Sequence, residues 1–229
     1  MSLRANRLKS ETTGASAGFI SHRRLPPFML YAFLAALVPY IVVVDPICAA
    51  PLYVSITSGY PQGKRRAVAL DAFLAATLIL IAFAVFGGVI LDYFGISLEA
   101  LEIGGGILML MMSLEMVKEG EKPRGRKRTA EEIGEAAIVP LAIPLLAGPG
   151  AITLTMIMVE KYGLLPVILA IVAVMLITLV ILLTAERTLR LLGVKGAMAL
   201  TRVAGLLLAA LAVQYILEGI TGWYLTHMV

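Results

Sequence analysis

The sequence predicts an all-α integral membrane protein with six transmembrane helices, arranged as a 3+3 inverted-topology repeat with broken helices in spans 1 and 4. Three observations carry that reading. First, 60% of the 229 residues are hydrophobic and the mean hydropathy is +0.93, well above the apolar share of an ordinary soluble domain. Second, two apolar runs are interrupted at membrane depth: Val44-Asp45-Pro46-Ile47-Cys48-Ala49-Ala50-Pro51, and Ile138–Thr155, which holds Pro140, Pro144, Gly148, Pro149 and Gly150. Each proline removes a backbone donor and clashes with the preceding turn. In hydrocarbon, the freed polar groups are tolerated only beside protein or a wet cavity. Third, the halves echo each other at an offset of roughly 100 residues, a self-similarity that signals internal repetition.

Residues 1–24 read as a flexible polar tail. The first three-span repeat occupies residues 25–117. Its first span runs from Pro26 to about Thr57, longer than the ~20 residues needed to cross a bilayer, and breaks at Asp45-Pro46. Gly59, Pro61 and Gly63 then turn the chain into Lys64-Arg65-Arg66. The second span covers about Ala67 to Leu91, with Asp71 near the interface. The turn Asp92–Gly95 leads into the third, from about Ile96 to Val117, where Ala100 and Gly104 offer a close-packing face. Residues 118–135 form a cytoplasmic loop with a basic core and an acidic end. Residues 136–229 make the second repeat. Its spans cover about Ala136–Val159, Leu164–Ala185 and Met198–Gly222. The fifth reads as a lipid-facing support. Gly193 and Gly196 break the chain before the sixth, in which Gly205 and Ala209 offer a packing face. Glu115 and Glu218 read as marks of helix ends.

Within the echo, Asp45-Pro46 aligns with Gly148-Pro149, Phe94-Gly95-Ile96 with Leu192-Gly193-Val194, and Glu102-Ile103-Gly104-Gly105 with Arg202-Val203-Ala204-Gly205. Three spans per half is an odd number, so equivalent segments cross in opposite directions. Twelve Lys and Arg follow spans one, three and five, against six on the other side. The positive-inside rule puts those loops in the cytoplasm and both termini outside, in a multi-pass protein of the cytoplasmic (inner) membrane.

A single cysteine, Cys48, excludes an internal disulfide and any multi-cysteine metal site, and no metal site is expected. The net charge of +4 sits in loops beside the membrane, not in a nucleic-acid footprint. No nucleophile-base pairing, metal-ligand spacing or phosphate loop is visible, so an enzyme is not expected. A cofactor is not expected either, apart from Na+ or H+ as a coupling ion.

The two breaks point to a site in which helix N-terminal N–H groups bind a carboxylate and free carbonyls bind a cation or ammonium. The bland alternative is a pair of proline kinks that serve packing. The candidate substrate-binding residues are Asp45, Pro46, Ile47, Cys48, Pro51, Ser55, Pro144, Gly148, Pro149, Gly150 and Thr153. An intramembrane carboxylate marks function by default. Asp45 is equally suited to cap the second half-helix. Glu102 and Arg202 join Asp45 as coupling candidates; each either pairs inside the bundle or snorkels to an interface. Hydroxyls such as Ser55 and Thr153 either line a site or bond their own helix.

The stretches PLAIPLLAGPGAIT, DPICAAPLYVSIT, FGISLEALEIGGGIL and RVAGLLLAALAVQYILEGI resemble the MarC-related membrane protein family, which includes SnatA-type neutral amino acid transporters. The resemblance spans about Phe28 to Gly222. It implies six spans and cation-coupled transport of small neutral amino acids such as glycine and alanine by alternating access. The alternative is a channel, or an exporter of lipid or small metabolites, using the same broken-helix cavity. Carried over, the site involves Pro46 and Pro51 in one break and Pro144, Gly148, Pro149 and Gly150 in the other. This chain departs where the family usually reads Asn-Pro-Ile-Gly, having Asp45-Pro46-Ile47-Cys48 instead, and it carries Glu102 where a basic or neutral residue is common. The expected partners are the lipid bilayer, a small zwitterionic substrate and a second copy in a homodimer.

Overall fold

The computed structural model describes residues 26–119 and 146–228, and every element among them is helical. In chain order these are α1 (Pro26–Val44), α2 (Pro46–Thr57), α3 (Gln62–Phe94), α4 (Leu98–Glu119), α5 (Pro149–Tyr162), α6 (Leu164–Leu183) and α7 (Ala185–Met228). Among the described residues, five stretches are long and apolar enough to cross a bilayer: Met29–Thr57, Gln62–Phe94, Leu98–Lys118, Leu164–Leu183 and Lys195–Met228. The protein is thus a multi-pass all-helical membrane protein. Of the fourth expected span, the 14-residue α5 is described, while Pro140 and Pro144 lie outside the described residues.

Glycines set most of the joints. Gly95 ends α3 in the left-handed region (φ 64°), and its N–H returns to the carbonyls of Asp92 and Leu91 while Ile96 N–H reaches Leu91 O at 2.9 Å. Such a cap satisfies carbonyls that the helix end leaves open. Gly163 (φ 85°) alone joins α5 to α6. The expected polar connection before the sixth span is helical instead. The chain turns at Thr184, re-enters helix at Ala185, and bends at Gly193 (φ 66°, ψ 164°), whereas Gly196 stays in the helix. Arg187 and Thr188 N–H groups bond Thr184 O, and Glu186 sits in the first turn, where a carboxylate complements the helix dipole. Only one of the two glycines was needed for the bend.

α4 and the long arm of α7 lie antiparallel. As α4 positions rise from Glu99 to Met116, the α7 glycines beside them fall from Gly219 and Gly222 to Gly205. A methyl added at Gly219 would stand 2.6 Å from Glu99 O, and one at Gly106 would stand 2.7 Å from Ala212 O, so the backbones approach as closely as small residues allow. Gly205 packs as expected, against Met116. Gly104 does not: it faces open space, and its neighbours Gly105 and Gly106, about 100° further round the helix each, make the contacts. α6 also corrects its expectation. One face is exposed (Leu165, Leu169, Leu176, Val180), but the other is buried core (Val167, Ala170, Ile171, Val174, Met175, Leu182) packed on α1, α2 and α3. In a bilayer, both faces of a helix are apolar, so composition does not separate lipid from core.

Candidate functional site: two helix starts inside the bundle

Between α1 and α2 a single residue breaks the helix. Asp45 takes φ 41°, ψ 68°, the one left-handed non-glycine among the described residues. Asp tolerates this region better than most side chains because its short polar group bonds locally. Here its Oδ1 accepts from Cys48 N–H at 3.3 Å, three residues on. Pro46 occupies the first position of α2, where its missing N–H costs nothing. The joint is deep: Asp45 is 9% exposed, and Val43, Val44, Ala49 and Ala50 around it are buried. The start of α2 therefore carries its own anion.

α5 begins the same way with a different residue. Gly148 is extended (φ −71°, ψ 172°), Pro149 takes the first helical position, and Ile152 N–H makes the first turn's bond to Gly148 O at 3.0 Å. Gly148 and Gly150 are buried and Ala151 is 2% exposed, yet Gly148 at the cap makes no side-chain bond to this helix end, and none is supplied among the described residues. The first N–H groups of a helix point outward from its start and favour an anion.

Two contacts relate the breaks. Tyr40 OH donates to Thr155 Oγ1 at 2.7 Å, both residues fully buried. Tyr31 and Tyr162 meet edge to face, centroids 6.4 Å apart. Later α1 residues thus meet earlier α5 residues, so the two helices are antiparallel. From the Tyr40–Thr155 bond, Asp45 lies about 7.5 Å along α1 and Pro149 about 9 Å along α5, in the same direction, at ~1.5 Å per residue. The two helix starts come out level to about 2 Å along the axis.

α5 is wedged in place. A Cβ on Gly105 of α4 would lie 1.9 Å from Thr153 Cγ2, one on Gly150 would lie 2.7 Å from Met112 Sδ, and one on Gly87 of α3 would lie 2.9 Å from Met156 Cγ. At the far end of α5, charge takes over. Lys161 Nζ lies 2.7 Å from Glu102 Oε1 on α4, and it pairs as well with Glu218 on α7. Gln214 Nε2 donates to Glu218 Oε1 at 2.7 Å, and the ammonium stands 4.9 Å from the Tyr215 ring centre. Glu102 is 5% exposed, and a carboxylate so buried is sustained by pairing.

The expected site residues divide accordingly. Asp45, Pro46, Gly148, Gly150 and Thr153 are buried, and Ile47, Cys48 and Pro51 are partly so. Pro149 is exposed, and Pro144 lies outside the described residues. Ser55 is exposed on the outer face of α2, away from the break. Of the coupling candidates, Glu102 is paired with Lys161, and Arg202 is exposed on α7, where a long side chain reaches polar surroundings by snorkelling. Glu218 does not mark a helix end but sits inside α7 with a partner. Lys161 and Tyr40 escaped sequence reading. Lys161 counted there only as a topology charge, and its place after an apolar run opposite two acidic spans was the available signal.

Residues 30–224 match the family described as MarC family integral membrane protein. The chain belongs to the MarC family. The resemblance read from PLAIPLLAGPGAIT and its companions is therefore correct. Among its relatives, the UPF0056 membrane protein MJ1677 of Methanocaldococcus jannaschii is 42% identical over 200 residues, covering 84% of this chain and 98% of the relative. The UPF0056 membrane protein MJ0972 of the same organism is 38% identical over 206 residues, covering 86% and 88%. The UPF0056 inner membrane protein YhgN of Escherichia coli is 33% identical over 192 residues, covering 83% and 96%. No solved structure matches this MarC protein. The MarC match takes in both helix starts and the Glu102–Lys161–Glu218 cluster.

Proposed function

We propose that this MarC-family protein is a secondary transporter of small neutral amino acids, glycine- and alanine-sized zwitterions, working by alternating access and coupled to Na+ or H+. The observation that carries the proposal is the charge asymmetry of the two level helix starts. α2 is closed by the Asp45 carboxylate, and α5 has no side-chain cap among the described residues. A zwitterion spanning them would set its carboxylate on the N–H groups at Gly150 and Ala151 and its ammonium toward Asp45. Broken helices meeting in this way are how many carriers hold a zwitterion at the midplane. In this reading Asp45 also takes the coupling ion, and Glu102 is the second coupling candidate through its pairing with Lys161.

An inverted 3+3 repeat supports the same reading. Gly95 and Gly193, aligned by sequence, both take positive φ at the same kind of joint. The neighbour pattern also survives exchange of the halves. α3 packs on α6 and α4 on α7. α2 packs on α6 and α7 as its counterpart α5 packs on α3 and α4. With both termini outside, α1 and α5 occupy the outer half of the bilayer and the two helix starts fall near its middle. Rocking one set of three spans against the other would open the site to each side in turn.

The deciding experiment is uptake of labelled glycine and alanine into proteoliposomes under an imposed proton or sodium gradient, with internal amino acid varied. Gradient-driven uptake that internal substrate accelerates is expected. Uptake without exchange stimulation would point to a channel, and no uptake by folded protein would remove the amino acid assignment.

A further inference from the structure

At the end of the bundle reached by the C-termini of α2 and α6, a cavity of about 430 Å³ opens between two corners of the chain. Arg65 and Arg66 from the first turns of α3, and Arg187 and Arg190 from the first turns of α7, line it. Among the described residues, Glu186 is the one carboxylate in its wall, and it is paired with Arg65. Arg65 is otherwise occupied in holding the α2–α3 corner: its Nε donates to Tyr60 O at 3.0 Å and its Nη2 to Ser58 O at 3.2 Å, while Tyr53 OH donates to Arg65 O at 2.8 Å. Among the described residues, Arg66, Arg187 and Arg190 have no carboxylate within salt-bridge distance. Three guanidinium groups from two separate helices therefore line one concavity with no salt-bridge partner among the described residues. The same wall contains Val54 near the end of α2 and Leu182 and Leu183 at the end of α6.

We propose that this cavity is a binding site for a phosphate group, carried on an anionic lipid headgroup or on a soluble phosphate compound. Guanidinium groups match phosphate oxygens in pairs of parallel hydrogen bonds, which a lysine does not reproduce. Basic pockets between membrane helices at the cytoplasmic surface favour phosphorylated headgroups for the same reason. Guanidinium groups and apolar side chains in one wall suit an amphiphile whose phosphate enters between the corners while its chains lie along α6. Bound there, phosphate would bridge the α2–α3 corner to the α6–α7 corner and so bear on how the helices of the two halves sit together. The inference does not depend on what the protein transports.

The test is binding of the detergent-purified full chain to fluorescent phosphatidylglycerol, with phosphatidylcholine as the zwitterionic control. Inorganic phosphate is then titrated against a thermal melt at constant ionic strength. The wild type is expected to bind phosphatidylglycerol at least tenfold more tightly than phosphatidylcholine, or to gain thermal stability with phosphate but not with chloride. The first result identifies the lipid and the second a soluble anion. The triple variant Arg66→Ala, Arg187→Ala, Arg190→Ala should lose that preference, the matching Arg→Lys triple should keep less than half of it, and Arg202→Ala should keep all of it. Equal binding of both lipids together with equal melts in phosphate and chloride would overturn the proposal in the wild type alone, without reliance on any variant's folding. A preference that survives the triple Ala substitution would overturn it too, by assigning the effect to general surface charge.

Discussion

At Asp45 the chain ends one helix and starts another with a carboxylate in the joint; at Gly148 it starts a helix with no side chain in the joint. Both use proline as the first helical residue, and both lie in the buried middle of the bundle. The backbone solution is shared, and the electrostatic one is opposite. An aspartate in the left-handed region satisfies its own helix, so that start has an inclination toward cations. A glycine satisfies nothing, so the other start keeps its attraction for anions. On the proposed function, these two helix starts are the two ends of one receptor for a molecule with two charges.

The sharpest way to break the comparison is to remove the first charge. Asp45→Ala should abolish transport, at least a hundredfold in proteoliposome uptake. It should also lower stability, by about 1 kcal/mol for the lost cap and about another 1–2 for alanine held left-handed. Asp45→Asn keeps the cap and tolerates the backbone, so its melt should match wild type while uptake falls at least tenfold and loses its dependence on the coupling ion. Unchanged uptake in Asp45→Asn would remove the charge from the mechanism.

The complementary change makes the second break resemble the first. Gly148→Asp places a carboxylate cap on α5, in an extended backbone that any residue can adopt. We expect KM for glycine to rise at least tenfold with no loss of folded protein, because the new anion occupies the N–H groups proposed to hold the substrate carboxylate. A KM that stays put would argue against that end as the carboxylate site.

Smaller effects sharpen the support around the breaks. Gly105→Ala drives a methyl into Thr153, so overpacking should cost about 1–3 kcal/mol and tilt α5 out of register, read as a lower melting temperature with a larger fall in uptake than Gly104→Ala, whose site is open. Glu102→Gln leaves Lys161 with Glu218 as its carboxylate partner; the melt should fall modestly, by about 1 kcal/mol given the partial exposure of that pair. Tyr40→Phe removes the hydroxyl that ties α1 to α5. In membrane proteins such a bond is worth only about 0.6 kcal/mol on average, so a melt barely shifted, with uptake measurably slower, is the expected outcome.

Much of this was legible in the chain. Asp45-Pro46 and Gly148-Pro149 announced themselves because proline inside an apolar run has few structural excuses, and Gly95 and Gly193, aligned by the sequence echo, both take positive φ. Ser55 misled because a hydroxyl looks the same whether it faces a site or the outside of its helix. Gly104 misled by one position, which on a helix is about 100° of rotation and the difference between open space and contact.

The sequence by itself determined the solvent, the all-helical class, the helix starts at Pro46 and Pro149 and the family, since these follow from local composition and backbone chemistry. Only the tertiary structure decided which charges meet. Glu102 pairs with Lys161, 59 residues away, and with Glu218 shares one ammonium among three helices; Tyr40 finds Thr155 across 115 positions. Apolar faces look alike to lipid and to protein, so in a bilayer no periodicity reveals which side of a helix turns inward. That rotation is set by where small residues let backbones approach and where buried polar groups find each other.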